Sequence, residues 1–131
     1  MVVRCPYGRP AVTEQEPFDV TGAPFPTTYW LTCPHLVAQV SWLESAGGVE
    51  RWTRAAHEDQ ELTESLARAE EEQRRLRPEH DLGIGGSRPG TGSLKCLHAH
   101  VAFALARPGY ELGERIIEEL EPLWPAECCS T

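Results

Sequence analysis

A chain of 131 residues, 40% hydrophobic and 24% charged, is long enough to bury one core and too apolar to stay disordered. Its formal charge of −8 speaks against the positive field that non-specific binding to nucleic acid or an anionic membrane needs, so no nucleic acid is expected as a partner. No apolar run approaches the roughly 20 residues of a membrane span, and Met1 to Pro10 holds none of signal-peptide length. The expectation is a cytoplasmic protein without membrane insertion, one domain over residues 1–125 and a flexible tail over 126–131.

Ala11–Phe18 and Thr27–Thr32 read as strands on either side of the turn-prone Asp19–Pro26, so an antiparallel hairpin is expected. Thr27-Thr28-Tyr29-Trp30-Leu31-Thr32 is dense in β-branched and aromatic side chains and is the stronger of the two. Cys33-Pro34 ends it and opens a helix, because proline suits a first helical turn where its missing N–H has no partner to lose. Leu36, Val37, Val40 and Leu43 recur at helical spacing, and Gly47-Gly48 stops the helix.

A long, highly charged helix is expected from Val49 to about Arg77, with a narrow apolar stripe and acid-first pairs Glu70/Arg74 and Glu71/Arg75. This helix is a solvated face or a surface for a protein partner. Leu82–Gly92 is a glycine-rich loop, Ser93 can cap a helix over Leu94–Ala106, and a last helix covers about Leu112–Leu120. The fold class that follows is α+β, mostly helical, with a small N-terminal antiparallel hairpin.

The chemistry-bearing residues are cysteines and histidines. An odd count of five cysteines without a secretory signal speaks against a disulfide framework and leaves buried thiols, metal ligands or reactive groups. Cys96 and His100 stand four apart and share one face if their segment is helical, whereas His98 projects about 160° away from His100. Cys5-Pro6 and Cys33-Pro34 each place a thiol at an element edge. Cys5, Cys33, Cys96 and His100 would complete a zinc site, or three thiolates could hold an iron–sulfur cluster, provided the fold gathers them.

A second reading makes Cys96 a thiolate nucleophile at a helix start, with Gly83, Gly85 and Gly86 turning amides toward an anion. The loop matches neither the phosphate-binding nor the dinucleotide glycine pattern, so a plain connector is its competing reading. Cys128 and Cys129 are expected to be mobile thiols in the tail.

Four segments together resemble the DUF501 family, found mainly in actinobacteria. They are Arg4-Cys5-Pro6-Tyr7-Gly8-Arg9-Pro10, Pro26-Thr27-Thr28-Tyr29-Trp30-Leu31-Thr32-Cys33-Pro34, Gly83-Ile84-Gly85-Gly86 and Lys95-Cys96-Leu97-His98-Ala99-His100. The resemblance runs nearly the length of the chain and implies no established activity. The usual gene neighbours of the family imply housekeeping, cell-division or envelope-linked work. Cys5, Cys33, Cys96, His98 and the glycines lie in the matching segments, and Cys128 and Cys129 do not.

Overall fold

A computed structural model describes residues 2–23, 25, 27–80, 82–86 and 94–128. Three short strands, β1 (Val3–Arg4), β2 (Pro10–Glu14) and β3 (Tyr29–Leu31), form an antiparallel sheet in that order. The expected hairpin is present as β2 and β3, with Val12 opposite Leu31 and both buried. The first strand was not legible, because a two-residue strand carries no alternation to detect.

Five helices follow: α1 (Pro34–Ser45), α2 (Gly48–Glu58), α3 (Gln60–Leu76), α4 (Leu97–Ala106) and α5 (Glu111–Glu118). Proline occupies the first turn of α1 as the sequence suggested. Gly47, at φ 86°, turns the chain from α1 into α2, a left-handed conformation that glycine adopts at no steric cost.

The long helix expected from Val49 to Arg77 is two helices. Asp59 leaves helical geometry at φ −100°, ψ 116°, and its carboxylate accepts from the N–H groups of Glu61 (3.0 Å) and Leu62 (3.4 Å). An aspartate bonding those orphan amides is a favoured N-cap, worth about 1 kcal/mol over alanine. Glu71 and Arg75 pair at 3.7 Å on the exposed face of α3, while Glu70 turns inward to accept from the Ile84 amide at 2.8 Å.

The core forms around α4. Leu97, Ala99, Val101, Ala102, Phe103 and Ala104 are all buried, so this helix is surrounded rather than amphipathic, packing on β3, α1 and α5. Its alanines let neighbours approach closely. A Cβ added to Gly113 of α5 would stand 2.6 Å from Ala104 Cβ and 3.0 Å from the His100 carbonyl oxygen, so no side chain fits there. Buried polar groups are paired across elements: Gln73 Nε2 donates to Thr28 Oγ1 at 2.6 Å, and the Leu112 amide to Ser65 Oγ at 3.1 Å. Among the described residues no helix is long and apolar enough to cross a membrane.

Candidate metal centre at the start of α4

The chain enters α4 by a strained turn. Lys95 has φ 69°, and the Cys96 N–H bonds the Leu94 carbonyl at 2.7 Å, a three-residue turn closed around a left-handed lysine. Cys96 is consequently extended at φ −156°, ψ 127°, and the helix begins at Leu97. The expected start at Leu94 is therefore three residues early, and the expected cap Ser93 lies outside the described residues.

That shift changes which histidine meets the thiol. Cys96 Sγ lies 3.7 Å from His98 Nδ1, and Glu44 Oε2 lies 3.1 Å from the same nitrogen. The three ligand atoms all fall within 4.8 Å of one another, the one such group of His, Cys, Asp and Glu among the described residues. Around a tetrahedral zinc-class ion, with sulfur at about 2.3 Å and nitrogen or oxygen at about 2.1 Å, neighbouring ligand atoms stand about 3.4–3.6 Å apart. The sulfur–nitrogen and oxygen–nitrogen spacings, 3.7 and 3.1 Å, are close to that.

Each group is held from behind. His98 Nε2 donates to Ser41 Oγ at 3.2 Å, leaving Nδ1 toward Glu44 and Cys96. Glu44 Oε2 also accepts from the Leu97 amide at 2.7 Å, so the carboxylate caps α4 while sitting in the last turn of α1. The hydrogen bond that the protonated ring donates from Nδ1 to the Cys96 sulfur, with the negative charge of Glu44 and of Cys96, raises the His98 pKa to about 9 against the opposing effect of burial. Cys96 and His98 both line a pocket of about 400 Å³ whose other walls include Tyr29, Trp30, Leu31 and Val37.

The four ligands expected from the sequence are divided among three places. His100 is fully buried: its Nε2–H donates to the Leu94 carbonyl (3.0 Å) and its Nδ1 accepts from the Tyr110 hydroxyl (2.7 Å). Both ring nitrogens are thus spoken for, and burial lowers its pKa to about 4. Cys5 and Cys33 border a different cavity from Cys96. The glycine turn Ile84–Gly86 has Gly85 and Gly86 at positive φ; the Ile84 amide is taken by Glu70, and the Gly86 amide donates to the Gly83 carbonyl at 3.0 Å. The anion this turn holds is a carboxylate of the chain itself.

Glu44 was missed by the sequence reading. One local signal exists: an acid in a helix's last turn opposes the helix dipole and calls for a positive partner from elsewhere. That partner, 53–54 residues away, is the start of α4.

A family model described as "Protein of unknown function (DUF501)" matches residues 1–118, and the chain belongs to that family. Comparisons with curated proteins and with solved structures return no match.

Proposed function

We propose that this DUF501 protein is a metal-binding protein, in which the Glu44 carboxylate, the Cys96 thiolate and His98 Nδ1 hold one zinc-class divalent ion. The observation that carries the reading is convergence. The thiol and the carboxylate both approach the same ring nitrogen, at spacings near those of a tetrahedral ligand shell. A set of one sulfur, one nitrogen and one oxygen suits zinc better than an iron–sulfur cluster, which is held mainly by thiolates.

Three protein ligands leave a fourth tetrahedral position for water or a small ligand, as in catalytic rather than structural zinc sites. A molecule entering the pocket beside Tyr29 and Leu31 would reach that position past Cys96 and His98.

The rival reading of Cys96 as a nucleophile has the raised pKa of His98 in its favour, since an imidazolium stabilises a neighbouring thiolate. Against it, the group that orients the ring from the opposite nitrogen is the neutral Ser41 hydroxyl. The Glu44 carboxylate, which would support an imidazolium, sits on the same nitrogen as the thiol.

Zinc analysis of protein purified under reducing conditions tests the proposal. Cys96→Ser and His98→Ala should each lower the bound metal by about one equivalent per chain while the fold persists. Unchanged metal content in both variants would overturn it. Alkylation of Cys96 in metal-free protein much faster than of a free cysteine, without metal uptake, would favour the nucleophile.

A further inference from the structure

Three thiols from remote parts of the chain border one cavity. Cys5 lies in the turn between β1 and β2, Cys33 at the N-terminus of α1, and Cys128 in the segment that follows α5. Together with Tyr7, Arg9 and Pro34 they line a volume of about 220 Å³, separate from the pocket beside Cys96. The Glu44–Cys96–His98 group makes no use of them.

Local structure fixes two of the three. The Cys5 amide bonds the Arg9 carbonyl (2.8 Å) and the Cys5 carbonyl accepts from the Gly8 amide (2.9 Å), closing the turn, with Gly8 at φ 82°. Cys33 is only 4% exposed and precedes α1 without a side-chain cap, so the positive end of that helix is turned toward its surroundings. The third comes from the chain's far end: the Tyr7 hydroxyl donates to the Pro125 carbonyl at 2.5 Å and docks that segment beside the turn. Cys5 and Cys128 are both partly exposed, so the cavity is open to an ion from solvent.

We propose that this cavity is a second metal site, where the thiolates of Cys5, Cys33 and Cys128 take a thiophilic cation of the zinc class. Three sulfur donors select soft or borderline ions over magnesium and calcium. Three thiolates around a divalent cation leave one net negative charge, which the Arg9 guanidinium and the start of α1 offset.

The three cysteines line the cavity, and their sulfurs do not stand within ligand spacing of one another as a set. Binding therefore requires the segments that carry the three cysteines to close on the ion, the C-terminal segment among them, so metal occupancy is coupled to its docking. The proposal is independent of the Glu44 site.

The test uses the full chain carrying both Cys96→Ser and His98→Ala, titrated without oxygen with cobalt(II) as the probe. One equivalent should bind, with the intense near-ultraviolet absorption of sulfur-to-cobalt charge transfer, and zinc should displace it. Adding Cys5→Ser or Cys128→Ser should weaken cobalt binding at least tenfold, and bound metal should protect the C-terminal segment from limited proteolysis. Cys33 is too buried for its replacement to be a clean probe, so these two partly exposed positions decide. No charge-transfer band in a variant whose circular dichroism is native, or a band indifferent to both serines, overturns the site. Loss of one equivalent on going from the parent to the double variant reports on the Glu44 site alone, so the two proposals fail separately.

Discussion

His98 and His100 lie two positions apart on one helix and have opposite chemistry. His98 sits at the rim between a thiol and a carboxylate, and those neighbours lift its pKa to about 9. His100 is sealed in the core between Tyr110 and the Leu94 carbonyl, and burial drops it to about 4. One is charged at neutral pH and the other neutral. The difference teaches that a histidine's role follows from what its face of the helix meets, which two residues of sequence spacing reverse.

Substitution separates the two histidines by the widest margin. His100→Ala should cost about 3 kcal/mol or more, because it opens a cavity and leaves the Tyr110 hydroxyl and the Leu94 carbonyl without partners. His98→Ala should cost no more than about 1 kcal/mol, the range of partly exposed ion pairs, yet abolish metal binding at its site. Urea denaturation of the two variants measures both. Equal losses would mean that the two rings do the same structural work.

The second effect is acid sensitivity. His100 binds its proton more weakly folded (about 4) than unfolded (about 6.5), so its contribution is complete above pH 6.5 and is lost as the pH falls towards 4. The difference amounts to about 3 kcal/mol, with no further loss from this group below pH 4. His98 runs the other way. Its pKa is raised, so its contribution is present below pH 6.5 and fades as the pH climbs through about 9. Stability of His100→Gln against pH should lack the acid limb, and that of His98→Gln the alkaline fade. A His100→Gln profile that keeps the full acid limb would reassign that limb to other groups.

Metal binding should sharpen the same contrast. An ion at His98 Nδ1 displaces a proton held with a pKa of about 9, so zinc affinity in the parent should rise between pH 6 and pH 8, with proton release on binding. Calorimetry in two buffers of different ionisation enthalpy reads that release, and a buffer-independent heat would argue against His98 as a ligand. The smallest expected effect is at Lys95, whose φ of 69° costs a non-glycine residue about 1 kcal/mol. Lys95→Gly should recover part of it in the melting temperature. Lys95→Pro, unable to take positive φ, should lower stability and metal affinity together.

Much of the fold was legible because its signals are local. Pro34 and Gly47 mark the ends of α1, and the aromatic, β-branched run before Cys33 marks β3. Asp59 was a legible cap that the continuous charge pattern of residues 49–77 obscured. The site was legible only in part. Cys96 and the neighbouring histidines stand out, but choosing between His98 and His100 requires knowing where α4 starts, and that is set by the turn at Lys95 rather than by periodicity.

An α+β chain dominated by helices, its family, and the residue types available for binding metal all follow from composition, periodicity and motif, which are properties of neighbours along the chain. Only the tertiary structure decided which of those residues meet. Glu44 and His98 are 54 residues apart, and Cys5 and Cys128 sit at opposite ends of the chain. Packing α4 against β3, α1 and α5 is what brings the last turn of α1 to its start, and what leaves His98 at the rim and His100 inside.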